Sequence, residues 1–152
     1  MRVGRPLFDD ERLELYHRWH AFREDARGWS EADLSERSYR LQFTFTHAAA
    51  REIAYHDEEG ALVGLALCDQ TVRAWSAIYF FYEPAWAARS IGTANVVIQI
   101  EIARSLGIPY VYLGYRVAGC PSLAYKGSFR PQEILCGLPR DEEEPIWLPQ
   151  TL

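Results

Sequence analysis

Cysteine is scarce and scattered. Cys68, Cys120 and Cys136 are the only three, and no CxxC pair occurs. That spacing excludes a disulfide framework and a four-cysteine metal site. No apolar run reaches membrane-spanning length, and the start, Met-Arg-Val-Gly-Arg-Pro, lacks the apolar core of an export signal. A cytoplasmic chain without membrane contact is the expectation. An excess of basic charge is also missing: 16 Lys and Arg stand against 21 Asp and Glu, a net −5. Binding of nucleic acid through overall charge is thereby excluded. Lysine is nearly absent, Lys126 being the single one among the 16 basic residues. The four histidines do not cluster: His17 and His20 are one helical turn apart but lack a third ligand, so no metal is expected. What is present is ordinary for a globular protein, 152 residues of which 49% are hydrophobic and 24% charged. Such a chain can bury roughly 70% of its unfolded surface, and one domain over residues 1–152 is expected.

Charge is uneven along the chain. Residues 86–131 carry five basic side chains, Arg89, Arg104, Arg116, Lys126 and Arg130, against the single acid Glu101, a local net charge of +4. The remainder carries −9. A basic segment between acidic flanks can hold one end of a nucleic acid that the whole surface would repel.

Periodicity sets the elements. Leu15, Trp19, Phe22 and Ala26 form one helical stripe after Asp9 and Asp10, and Gly28 ends it. A second helix is expected from Ser30, whose spacing to Asp33 resembles a capping box. Residues 51–56, 61–67 and 75–82 read as an antiparallel meander with a turn at Asp57-Glu58-Glu59-Gly60. A helix over 93–106 is aliphatic almost all round, which predicts burial on most sides, and Gly107 closes it. Strands are expected at 110–115, parallel to its predecessor by the crossover rule, and at 133–136. The result is an α+β domain with a mixed sheet, two leading helices and one central buried helix.

The chemistry-bearing residues fall in the basic segment. Arg89-Ser90-Ile91-Gly92-Thr93 is a loop-to-helix junction, where unpaired backbone N–H groups and the helix dipole favour an anion. Gly92 lets a ligand approach the backbone, Ser90 and Thr93 add hydroxyls, and Arg89 adds a phosphate-binding fork. Asn95 and Gln99, four apart, share one helix face and can line a pocket. Glu101 is either a base or a partner for an arginine, Arg104 or Arg116. Tyr112 and Tyr115 can stack on a base or pass a proton. Cys120 has no histidine nearby to make it a nucleophile.

Six blocks occur in order: Tyr79-Phe-Phe-Tyr-Glu-Pro84, Arg89-Ser-Ile-Gly-Thr93, Gln99-Ile-Glu-Ile-Ala-Arg-Ser-Leu-Gly-Ile-Pro-Tyr110, Tyr112-Leu-Gly-Tyr115, Cys120-Pro121 and Tyr125-Lys-Gly-Ser-Phe-Arg-Pro131. Together they resemble the C-terminal half of the arginyl- and leucyl-tRNA–protein transferases of the N-degron pathway, most closely over residues 63–135. Ile91, Arg116 and Leu123 depart from the family pattern, and the family's N-terminal CxxC region has no counterpart in these residues. The resemblance implies an acyl-CoA N-acyltransferase fold, the fold of N-acetyltransferases, carrying an aminoacyltransferase. It implies aminoacyl-tRNA as co-substrate, no further cofactor, and an amine acceptor: a peptide, a protein N-terminus or a small molecule. On that reading Arg89, Ser90, Gly92 and Thr93 hold the 3′-terminal phosphate or ribose. Asn95 and Gln99 line the pocket, and Lys126 and Arg130 hold the acceptor stem or the aminoacyl carbonyl. Glu101, Tyr112 and Tyr115 are the candidates for proton transfer. Two alternatives stay open: an acyl-CoA-dependent N-acetyltransferase, and a non-catalytic tRNA-end or partner-binding remnant. A separate cysteine-domain protein would make this half of a split transferase.

Overall fold

Helix α1 (Asp10–Arg27) is set by its ends and its stripe. Asp9 is extended and its carboxylate accepts the Arg12 N–H at 2.9 Å, while Gly28 turns left-handed at φ 63° and donates its N–H to the Glu24 carbonyl. Leu15, Tyr16 and Trp19 are buried beneath it. The computed structural model describes residues 1–28, 33–44, 47–117 and 119–150. The expected helix start at Ser30 lies outside them. Helix α2 spans Glu36–Phe43 and is capped by Ser35, whose hydroxyl accepts the Ser38 N–H at 3.2 Å.

Five strands form one sheet in the order β1 (Arg2–Gly4), β2 (Ala50–His56), β3 (Leu62–Gln70), β4 (Ala74–Tyr82), β5 (Tyr110–Tyr112). All neighbours are antiparallel except β4 and β5, which are parallel as the crossover rule predicts. Strand β1 has no counterpart among the expected elements, being too short for alternation to register. The expected strand over 110–115 stops at Tyr112, because Gly114 adopts φ 71° and breaks the extended backbone. One sheet face packs Leu65 and Phe81 against α1 and α2; the other packs Ile53, Ala66, Cys68 and Trp75 against helix α3 (Ile91–Ser105).

Helix α3 differs from the expectation. Its most buried stripe is Asn95, Gln99 and Ala103, at i, i+4 and i+8, while Val97 is 47% exposed. That stripe is small and polar, Val96 is buried beside it and Ile102 packs against the core, while the aliphatic Val97 faces outward, so the helix is buried on one side only.

Contacts divide the chain into two compact units, Met1–Gly114 and Tyr115–Leu152. The second holds a short helix, α4 (Pro121–Ala124), a 3₁₀ turn at Tyr125–Ser128, and an antiparallel pair, β6 (Glu133–Leu135) with β7 (Trp147–Pro149). Among the described residues no helix is long and apolar enough to cross a membrane.

Candidate active site

A split in the sheet organises the first unit's site. Strands β4 and β5 pair over only three positions, Ala74↔Tyr110, Trp75↔Val111 and Ser76↔Tyr112. Beyond Ser76, β4 runs on to Tyr82 while β5 ends, so residues 77–81 present an edge with no strand partner on that side among the described residues. At the root of this opening the register of β3 against β4 shifts: Leu67 faces Tyr79 and Cys68 faces Ala77, leaving Ile78 as the extra residue of a bulge. Bulges bend a strand and release backbone groups from the ladder, and they are common beside active sites.

The N-terminus of α3 stands at the open end. Tyr55 bonds Asn95 in the first turns of α3, and it lies in register with Gly64, which itself faces Tyr82. Ser90 ends a 3₁₀ helix, Pro84–Arg89, and starts α3 in the left-handed region at φ 53°. For a residue with a side chain this costs about 1 kcal/mol. Its carbonyl accepts the Ala94 N–H at 3.1 Å, but its hydroxyl does not cap the helix. The first-turn N–H groups are therefore left for water or a ligand. A Cβ added to Gly92 would meet nothing within 4 Å, so the space over that residue is open. Arg89 and Thr93 are exposed, and the Arg89 guanidinium stacks over Trp86 at 4.7 Å without a carboxylate partner among the described residues.

Asn95 and Gln99, expected to line a pocket, are 5% and 1% exposed and bonded into the core. Tyr55 donates its hydroxyl to Asn95 Oδ1 at 2.8 Å, Gln99 Nε2 donates to the same oxygen at 3.1 Å, and Trp75 Nε1 donates to Gln99 Oε1 at 2.8 Å. Burial raises the Tyr55 phenol above its ordinary range, which keeps it a donor. Asn95 Oδ1 and both ends of the Gln99 carboxamide are thus bonded within the core. Glu101 points outward, its side chain 62% exposed, and pairs with Arg104 at 3.5 Å. The ion-pair alternative is thus the one realised. A water-screened pair of this kind contributes under about 1 kcal/mol. Glu101→Gln should shift the melting temperature by no more than about 4 °C and leave any transfer rate within twofold of wild type, measured side by side.

In the second unit Lys126 donates Nζ to the Tyr115 carbonyl at 3.1 Å, and partial burial lowers its pKa. Arg130 binds its own loop, donating to the carbonyls of Gly127 at 2.6 Å and Phe129 at 3.1 Å. Tyr115 is 83% exposed. Cys120 is half-buried at the start of α4. Among the described residues no three His, Cys, Asp or Glu side chains group as metal ligands.

The family model for the C terminus of arginine-tRNA-protein transferase matches residues 11–136. This chain belongs to that transferase family. It is similar to the aspartate/glutamate leucyltransferases of Helicobacter hepaticus (34% identical, covering 95% of this chain and 60% of the relative) and Campylobacter jejuni (35%, 93% and 60%). That of Parvibaculum lavamentivorans is 41% identical over 83% of this chain and 52% of its own. The chain thus spans between half and three-fifths of these relatives' length. In fold it resembles the ribosomal-protein-S18-alanine N-acetyltransferase of Escherichia coli, with a TM-score of 0.60 at 12% identity, covering 99% of this chain and 94% of that one. The ribosomal-protein-alanine N-acetyltransferase of Brucella melitensis gives a TM-score of 0.56 at 15% identity, covering 92% and 99%. The acyl-CoA N-acyltransferase fold is therefore the fold of this member of the transferase family.

Sequence reasoning passed over one part of the site. On the α2 face, at the root of the split, lies a cavity of about 570 Å³ lined by Phe43, His47, Leu67, Asp69, Ile78 and Tyr79 among others. Leu65, Leu67 and Asp69 alternate onto that face, so a charged residue ending an apolar strand stripe was the available signal. Cys68 also borders the cavity, but burial pushes its thiol up to about 12, so it carries no thiolate at neutral pH.

Proposed function

We propose that this chain moves an aminoacyl group, leucyl by likeness to its relatives, from a charged tRNA to the N-terminal amine of a peptide or protein beginning with aspartate or glutamate. The observation that carries this reading is the split between β4 and β5 opening beside an uncapped α3 N-terminus, in a chain of this family. Such an opening admits an extended acyl donor, and the helix end suits its phosphate. Arg89, Ser90, Gly92 and Thr93 are assigned to the 3′-terminal phosphate and ribose. The unpaired β4 edge offers backbone N–H groups to the oxyanion that forms when the ester carbonyl is attacked. Tyr112, at the root of the split, is assigned to the departing ribose oxygen. In the second unit, Tyr115 is assigned to the terminal adenine, and Lys126 and Arg130 to the acceptor-stem backbone. The local charge of +4 lets a single-stranded end bind despite the acidic total. Aminoacyl-tRNA is the co-substrate and the reaction needs no resident cofactor.

The test is to incubate the protein with tRNA charged with radiolabelled leucine and peptides starting with Asp or Glu, following label into peptide. Arg89→Ala should lower kcat/KM for the aminoacyl-tRNA about 10- to 100-fold, the loss of one charge-assisted phosphate contact. Binding of acetyl-CoA with no binding of charged tRNA at low salt would replace this reading with the N-acetyltransferase one.

A further inference from the structure

Asp69 is the sole carboxylate among the described residues lining the α2-side cavity, and the reading above gives it no task. It is half-buried beside Leu67 and Tyr79, and its carboxylate makes no hydrogen bond or ion pair with the described residues. Arg51 lines the same cavity but donates its N–H groups to Gln70 Oε1 and to the carbonyls of Ala48 and Ala50, so the Asp69 carboxylate is the acceptor left for a cationic ligand among the described residues.

Its position in the sheet is as telling as its chemistry. Asp69 faces Ser76 on β4, and Ser76 faces Tyr112 on β5, so the three residues form one row across three strands. Paired residues share a face, and Trp75 packs on the α3 side, so Ser76 and the whole row belong to the α2 side. Neighbouring strands lie about 4.8 Å apart, which puts Asp69 and Tyr112 roughly 10 Å apart at the backbone. Ser76 is also the last β4 residue paired to β5. The row thus marks the point where the split begins, with an acid on one side and a phenol on the other.

We infer that Asp69 is a catalytic residue, binding the α-ammonium of the acceptor in the cavity and taking its proton. This rests on the aminoacyl-transfer reading of the same split. The acceptor amine gives one proton to the Asp69 carboxylate, and its lone pair forms the C–N bond to the aminoacyl carbonyl carbon. The tetrahedral intermediate then breaks its C–O bond to the ribose. The second amine proton passes to that ribose oxygen, with Tyr112 as relay, and Asp69 returns the first proton to water. One amide, one ribose hydroxyl and one proton are the products, which balances the reaction without an oxidant or metal.

The experiment compares wild type with Asp69→Asn, an isosteric change at a partly exposed position, using leucyl-tRNA and an Asp-starting peptide labelled at its C-terminus. Asp69→Asn should lower kcat/KM for the acceptor about 10²- to 10⁴-fold, the range of one general base, while aminoacyl-tRNA affinity stays within twofold. Asp69→Glu should recover part of the rate. Wild-type kcat/KM in Asp69→Asn would overturn the assignment. A second readout separates this from the transferase reading: fluorescence anisotropy of the same peptide with its amine free or acetylated. Wild type should prefer the free amine by about tenfold or more, and Asp69→Asn should lose the preference. Such a preference in a wild type that transfers nothing from any charged tRNA would sustain the acceptor site and sink the transferase reading. Equal binding of both peptides to an active wild type would do the reverse.

Discussion

Replacing Glu52 with alanine should destabilise the chain by about 3–5 kcal/mol, a large share of a typical domain's stability. Glu52 and Arg12 are 3% and 8% exposed, so both charges have left water. The Arg12 Nε donates to both carboxylate oxygens of Glu52, at 3.1 and 3.3 Å, and Arg12 Nη2 also donates to Oε1. The Leu7 N–H adds a bond to Glu52 Oε2 at 3.3 Å. Without the carboxylate, the guanidinium keeps only Asp9, whose side chain is 42% exposed and shares its charge with water. The penalty comes from stranding the cation, not from the intrinsic worth of the pair. The double change Arg12→Met with Glu52→Leu should therefore recover most of the loss. Urea unfolding midpoints for the single and double variants check both statements. A shift below about 1 kcal/mol for Glu52→Ala would mean that the buried cation finds another partner.

What could be read from the sequence follows from the range over which each signal acts. The end of α1 at Gly28, the left-handed turn at Gly107 and the parallel pairing of β5 were legible, because each depends on a few adjacent residues or on handedness. The bulge at Ile78 was not, since it exists only as a register between β3 and β4. Asp69 gains its interest from that register and from Tyr112 two strands away, 43 positions later in the chain. Helix α3 misled for a different reason. Eight aliphatic or alanine side chains in Ile91–Ser105 hide the fact that the inward stripe is Asn95, Gln99 and Ala103. Periodicity counts apolar residues and is blind to a polar stripe whose partners, Tyr55 and Trp75, lie on other strands. Thr93, by contrast, falls in the first turn of α3, because a helix start is a local pattern, while Arg89 ends a 3₁₀ helix where a loop is expected.

The polar stripe also yields a sharp test of what Gln99 does. Gln99→Leu keeps the volume but removes both ends of a chain of hydrogen bonds: the acceptor for Trp75 Nε1 at 2.8 Å and the donor to Asn95 Oδ1 at 3.1 Å. Trp75 is fully buried, so its indole N–H has no water to turn to. An orphaned buried donor costs about 1–3 kcal/mol, and with the weakened Asn95 the expected loss is about 2–3 kcal/mol. Adding Trp75→Phe removes the orphan, although the smaller ring leaves a cavity that offsets part of the gain. The coupling between the two changes should accordingly be favourable, so that the double variant is more stable than the sum of the singles implies. If Gln99 serves the core, kcat/KM measured well below the melting temperature stays within about threefold of wild type while stability drops. If it instead touches substrate, the rate falls and the unfolding midpoint holds. The hydrogen bonds favour the first outcome: each polar atom of the Gln99 carboxamide already has a buried partner, and a ligand could reach them only by breaking a bond that Trp75 or Asn95 cannot replace.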